Sequence, residues 1–268
     1  MTTLPFSATT PVSVGRVGLR ARDAGGLADF YKDLLGLTET RRSGDTIALS
    51  AGGRELLEIE GSATLKPDDP NSAGLYHTAF LLPERADLAR WTQHAIDRKF
   101  RIDGASDHDV SEAIYLTDPE GNGIEIYADR PRDTWTMESG EVVMRTERLD
   151  FGALMREIEG KPAQWRGAPD GTVVGHVHFR VGAVGEAEQW WNGEMGFDTM
   201  RHRDNVAVFL SSGGYHHHVG ANIWHSRGAG ARPADTTGLA FVEFRAREIT
   251  AERELTDPWG NVIRVLPA

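Results

Sequence analysis

The chain has 268 residues, 40% hydrophobic and 26% charged, an ordinary globular mix with enough length for one large or two medium domains. A net charge of −11 with no basic run argues against nucleic acid or an anionic membrane as partner, since nothing is present to neutralise phosphates. With no cysteine, disulfides, thiolate zinc sites, iron–sulfur clusters and thiol nucleophiles are all excluded.

The N-terminus, Met1-Thr2-Thr3-Leu4-Pro5-Phe6-Ser7, lacks the charged and apolar regions of a secretory signal. No apolar run approaches the roughly 20 residues of a membrane span, so a soluble cytoplasmic protein is expected. The first predicted strand is Val14–Arg20. A helix from about Gly25 to Leu35 follows, with Leu27, Phe30, Tyr31 and Leu34 at helical spacing and Gly36 as its stop. Two strands, Thr46–Ser50 and Glu55–Glu60, turn at Gly52-Gly53. A second module opens at Gly74-Leu75-Tyr76-His77 and carries a helix over Ala86–Lys99. It closes with strands Ala113–Leu116 and Gly123–Tyr127. A polar linker, 131–172, holds one helical piece near Leu149–Ile158.

The third module repeats the first. Val174–Arg180 is the strand, Gly185–Met195 the helix and Gly196 the stop, and strands Val206–Leu210 and Tyr215–Asn222 flank Gly213-Gly214. Gly15 to Gly36 and Gly175 to Gly196 span the same 21 residues. The fourth module opens at Gly238 and ends in Leu255-Thr256-Asp257-Pro258-Trp259-Gly260-Asn261, a near copy of Leu116-Thr117-Asp118-Pro119-Glu120-Gly121-Asn122. From opening Gly to turn Asp it has 19 residues against 44 in module two, so its helix is expected to be missing.

The reading is therefore an α+β chain of four βαβββ modules. Residues 1–130 hold modules one (12–62) and two (73–130), and residues 173–268 hold modules three (173–226) and four (237–268, truncated). One such unit has a single apolar sheet face and cannot stand alone. Modules must pair, here into two half-open β-barrels, each enclosing a cleft. The shortened fourth module is expected to expose an apolar edge, which favours a homodimer or higher oligomer.

The βαβββ repeat, the Gly175-His176-Val177-His178-Phe179-Arg180 opening and the Asp118-Pro119-Glu120-Gly121-Asn122-Gly123-Ile124-Glu125 ending resemble the vicinal oxygen chelate superfamily, over about residues 12–266. Within it, Gly74–Pro83, Ser106–Leu116 and Gly213–His218 resemble two-domain extradiol dioxygenases of the catechol 2,3-dioxygenase type. The resemblance implies Fe(II) held by two histidines and one glutamate. Such a set leaves one face of the ion open to both catechol oxygens and O₂, and it suits Mn(II) as well.

Carried over residue by residue, the resemblance makes His77 and Glu125 ligands from module two. The third ligand falls at Arg16 in module one but at His176 in module three, while module four has Phe241 and Arg264 at the matching places. Only modules two and three jointly complete the set, so the expectation is a metal barrel built from the two central modules.

The resemblance also places His217 as the general acid/base, with His216 and His218 packing or facing solvent on the same strand. Tyr115 would hydrogen-bond a catecholate oxygen, and His108 would contact substrate and oxygen. His178 would stand behind the ligands or meet the substrate, Trp190 and Trp224 are candidates to line the pocket, and His225 its mouth. His94 and His202 read as solvated. The implied partners are a small catecholic substrate and O₂. A glyoxalase-like isomerase needs a fourth ligand where Val219 stands, and an antibiotic-binding relative needs no metal triad at all.

Overall fold

A computed structural model describes residues 4–268; residues 1–3, part of the segment searched above for a secretory signal, lie outside the described residues. Two sheets account for most of it. In chain order, β1 (Val12–Ala21), α1 (Ala24–Leu35), β2 (Thr38–Ser43), β3 (Thr46–Ala51) and β4 (Arg54–Gly61) form the first unit. The second is β5 (Gly74–Leu81), α2 (Arg85–Arg98), β6 (Gly104–Asp107), β7 (Ser111–Thr117) and β8 (Gly123–Asp129). The linker adds β9 (Met137–Glu138), β10 (Glu141–Val142), β11 (Glu147–Arg148) and α3 (Phe151–Met155). The third unit is β12 (Val173–Arg180), α4 (Val184–Met195), β13 (Asp198–Arg203), β14 (Ala207–Ser211) and β15 (Val219–Asn222), and the fourth is β16 (Gly238–Ala246), β17 (Arg253–Thr256) and β18 (Val262–Pro267), without a helix.

The strand order states how the units pair. The nine-stranded sheet runs β11-β6-β7-β8-β5-β12-β15-β14-β13, joining units two and three through antiparallel β5 and β12. The seven-stranded sheet runs β17-β18-β16-β1-β4-β3-β2, joining units one and four through β1 and β16. The central units thus share one half-barrel and the flanking units the other.

The helices pack where the sheets present their apolar faces. In α1, Leu27, Tyr31, Leu34 and Leu35 are buried on one side, Asp23 caps the start by accepting from the Gly26 N–H, and Gly36 at φ +70° ends the helix. Tyr31 of α1 meets Phe80 of β5, the Trp91 indole of α2 donates to the Leu34 carbonyl, and Trp191 of α4 packs on Phe244 of β16. One apolar cluster therefore runs through both sheets and ties them together.

Three expectations change. All of β2 is exposed, so no periodicity marks it. The stretch Tyr215–His218 is irregular, and the strand begins only at Val219. Gly213 and Gly214, at φ +67° and +73°, turn the chain under the N-terminal segment, where the His218 ring meets the Ser7 carbonyl and Thr10 while its backbone bonds Leu210 of β14 and Val177 of β12. The edge strand of the shortened unit, β17, is Arg253-Glu254-Leu255-Thr256 and largely exposed, so the edge is charged and polar rather than apolar.

Candidate metal centre

His77 lies on β5, Glu125 on β8 and His176 on β12, three neighbouring strands of the nine-stranded sheet. In register, His178 stands opposite His77 and Ala79 opposite both His176 and Glu125. The three side chains therefore rise from one face within two rungs of the ladder. Their donor atoms meet: His77 Nε2 and Glu125 Oε2 are 3.1 Å apart, His176 Nε2 and Glu125 Oε2 3.2 Å, and the two Nε2 atoms 3.3 Å. All three residues are buried.

Two glycines make room. A Cβ on Gly175 would sit 1.9 Å from the Tyr127 hydroxyl, and one on Gly220 would sit 2.7 Å from His178 Nδ1. Both positions admit only Gly without displacing a ring that borders the centre.

The donor triangle fits a metal ion. Three cis donors about 2.1 Å from an octahedral ion lie about 3.0 Å apart, close to the edges observed. Burial pushes the His176 pKa down to about 4, so at neutral pH the ring is uncharged and has one nitrogen lone pair. Burial opposes the Glu125 carboxylate, but the imidazoles of His176 and His77 outweigh it and hold the pKa well below the usual carboxylate range. A neutral imidazole and an ionised carboxylate are the forms that bind metal. Among the described residues no other group of three His, Asp or Glu converges in this way.

The triangle borders a cavity of about 750 Å³, within the range of about 300–1,000 Å³ usual for small-molecule sites. His217 enters it from the irregular segment before β15, its ring 4.1 Å from His176. Burial and the neighbouring histidines keep His217 well below the ordinary histidine pKa. Its orientation follows from a chain of hydrogen bonds. His216 Nε2–H donates to Asp129 Oδ1 at 2.9 Å, so in the neutral ring Nδ1 accepts the Nδ1–H of His217 at 2.7 Å. That leaves His217 Nε2 as a lone pair.

A second pair stands across the cavity. His108 Nδ1–H donates to the Arg145 carbonyl at 2.8 Å, so Nε2 of the neutral ring accepts the Tyr115 hydroxyl, also at 2.8 Å. The Tyr115 oxygen keeps lone pairs to offer a ligand. Tyr115 is paired with Glu125 in register, and burial, with the Glu125 charge, pushes its pKa well up.

His178 lines the cavity 5.0 Å from His77; its Nε2 is buried without a partner, and burial keeps the ring neutral. Trp224 and His225 also line the cavity, Trp224 lying 5.5 Å from His178. Trp190 does not line it. It sits on α4 on the other side of the sheet and packs at 4.9 Å on Trp191, whose side of the helix faces the core.

His216 and His218, expected to pack or face solvent, are both fully buried and hydrogen-bonded. His94 is only half-buried and bonds the Asp33 carbonyl; His202 is exposed on β13, bridging Glu141 and Glu188. Sequence reasoning missed Phe209, which lies against His217 at 5.0 Å, and the linker residues Met144, Arg145 and Thr146, which close one side of the cavity. It also missed Asp129, whose only signal is a carboxylate two periods of alternation past Glu125.

The family model described as Glyoxalase/Bleomycin resistance protein/Dioxygenase superfamily matches residues 13–126. Over 233 residues the chain is 37% identical to a protein named catechol-2,3-dioxygenase from Bacillus subtilis (strain 168), covering 85% of this chain and 80% of that one. Glyoxalase I from Zea mays superposes with a TM-score of 0.58 at 11% identity, over 98% of this chain and 94% of its own. The cppA protein from Streptococcus pneumoniae TIGR4 does so with a TM-score of 0.54 at 11% identity, over 95% and 98%. At that identity the two structures speak for the fold alone.

Proposed function

We propose, from the premise that this chain belongs to the glyoxalase/bleomycin resistance protein/dioxygenase superfamily, that it is an extradiol dioxygenase opening a catechol-type ring beside its hydroxyls. The observation that carries the reading is the convergence of His77, Glu125 and His176 at the floor of a cavity whose walls hold an oriented base and a tyrosine. Two histidines and one carboxylate on one side, with nothing opposite, is the ligand pattern of ferrous oxygenases; Mn(II) fits the same donors. When bound, the ion supplies a shared centre for the two hydroxyl oxygens and O₂ and the electron transfer that makes O₂ reactive toward the ring.

The rest is the work of the side chains. His217 Nε2 takes the proton of a substrate hydroxyl and later returns it to the leaving oxygen, with Asp129 and His216 holding the ring so that this nitrogen carries no hydrogen. Tyr115, donating to His108, turns its lone pairs to the second hydroxyl and aligns the diol. His178, neutral and without a protein partner, offers a nitrogen to the substrate edge. Trp224 and Phe209 give the ring apolar walls and keep water from the reacting carbons. The step balances: both atoms of O₂ enter the ring-opened product, the substrate supplies the electrons that reduce O₂, and the proton borrowed by His217 is returned.

A glyoxalase-type isomerase is disfavoured by the absence of a fourth metal-binding side chain among the described residues, Val219 standing where one is needed. The test is to load the protein with ferrous iron under anaerobic conditions and then add catechol in air. Oxygen consumption with a yellow ring-opened product is expected. Bound iron with no oxygen uptake across several catechols rejects the proposal.

A further inference from the structure

The cavity carries four guanidinium groups, Arg145, Arg180, Arg201 and Arg203, in a chain whose net charge is −11. Two of them are spent. Arg145 bonds the Asp109 carboxylate at 2.7 Å and Arg180 is tied to Asp68. The other two lie on the outermost strand, β13. Arg201 stands in register with Phe209 on β14, and cross-strand partners share a face. Phe209 lies against His217 and His178, so Arg201 stands on the wall of the cavity, and Arg203, two residues on, returns to the same face.

Neither is held by a carboxylate within hydrogen-bond distance among the described residues. The Nε of Arg201 is buried with no hydrogen-bond partner, and its NH1 makes only a long ion pair of 3.6 Å with Glu141 Oε2, the other oxygen of that carboxylate bonding His202 at 2.8 Å. Arg203 donates to the Thr146 hydroxyl at 3.1 Å and, among the described residues, has no carboxylate partner. A buried N–H left without an acceptor is destabilising, and an acceptor in the working complex would recover that cost. A planar pair of guanidinium forks matches a carboxylate better than any neutral group. Arg201 and Arg203 line the same cavity as Tyr115 and the three converging donors.

We propose that the substrate is a catechol bearing a carboxylate side chain, and that Arg201 and Arg203 form the subsite for that carboxylate. This rests on the ring-cleavage reading above, and it narrows the substrate class. The Arg pair on an otherwise acidic protein also steers an anion to the cavity mouth.

The experiment compares dihydroxyphenylacetate with its methyl ester, which keeps the diol and removes the charge. Oxygen uptake gives kcat/KM for each, and anaerobic calorimetry gives their binding to wild type, Arg201→Met and Arg203→Met, with metal content measured for every protein. The expected result is a preference for the acid of about tenfold or more in wild type, in both rate and binding. That ratio falls toward one in each Met variant. Equal use of acid and ester by wild type, or Met variants that keep the full ratio, overturns the proposal. If neither diol consumes oxygen, it is the ring-cleavage reading that falls, and the binding ratio alone then decides the subsite.

Discussion

His218 sets up a measurable acid instability unconnected with the metal centre. Its Nε2–H donates to the Ser7 carbonyl at 2.9 Å, and its Nδ1 accepts from the Ser211 hydroxyl at 3.0 Å and the Ser212 N–H at 3.3 Å. A neutral ring satisfies all of these; a protonated one would point Nδ1–H at another N–H. Burial accordingly pushes its pKa from 6.5 down to about 3. A histidine depressed in the folded state takes up its proton first in the unfolded chain, so stability is lost as pH falls below 6.5 and continues to fall until about 3. Between pH 7.5 and pH 5.0 the unfolded imidazole becomes almost fully charged while the folded one does not, a loss of about 2 kcal/mol from this residue alone. Because pH 5.0 lies well above the folded pKa, the figure hardly depends on its exact value. The assay is urea unfolding of metal-free wild type and His218→Gln at the two pH values. The variant starts less stable but should lose about 2 kcal/mol less over the interval. Equal losses in the two proteins, within about 0.5 kcal/mol, would refute the reasoning.

At the metal centre, His77→Ala, Glu125→Gln and His176→Ala are each expected to abolish stoichiometric metal, while Arg16→Ala keeps it; metal analysis of the purified proteins is the check. His217→Asn should keep the metal but lower kcat by about 10²- to 10⁴-fold. Asp129→Ala, which frees His216 and so the His217 ring, should lower kcat by about 10- to 100-fold with KM little changed. An unaltered kcat in Asp129→Ala would show that the hydrogen-bond chain does not orient the base. Gly175→Ala forces a methyl into the Tyr127 hydroxyl and is expected to cost about 1–3 kcal/mol, read from the urea midpoint.

The proposed ligand set came from the family resemblance, and rigid strand spacing is what let it be carried across the modules. Asp118 to Glu125 and Asp257 to Arg264 keep the same offset, and so do Gly15-Arg16 and Gly175-His176, so equivalent positions could be compared without coordinates. Counting ligands at those positions then required β5 to pair with β12. What was hidden depends on contacts between distant segments. His216–His218 alternate like a strand, but Gly213-Gly214 and the N-terminal segment impose an irregular path. Arg201 and Arg203 look like any polar edge strand until Phe209 shows which face they share. Met144–Thr146 reach the cavity only because β11 joins β6, two residues of pairing with no periodic signal. Trp190 and Trp191 are adjacent on a helix, and only packing tells that Trp191 takes the core and Trp190 the flank.

The seven-stranded sheet carries other residues at the places that match the proposed ligands of the nine-stranded one. Gly18 stands opposite Phe241 as His178 stands opposite His77, and Glu243 opposite Arg264 as Ala79 opposite Glu125. At the three ligand positions the sheet therefore has Arg16, Phe241 and Arg264. The Arg264 guanidinium lies 3.9 Å over the Phe241 ring and that of Arg16 lies 5.6 Å from it. Arg16 also bonds the buried Glu243 at 2.9 Å and Glu58 at 3.1 Å, and is paired with Glu55. A cluster of two imidazoles and a carboxylate without its cation is electrostatically poor, because desolvated acceptors face one another with nothing between them. Replacing one ligand alone would leave that cost in place, whereas this set brings its own cations and an aromatic face for them. Arg264→Glu restores the carboxylate of a ligand position but not its partners. It removes a cation–π contact of about 0.5–1 kcal/mol and sets a second acid beside Glu254, which now bonds Arg264 at 3.1 Å. The variant should be less stable by about 1 kcal/mol in urea and still bind one metal per chain. A second equivalent of bound metal would show that the outer sheet retains a latent site, contrary to the account of its three replaced ligands.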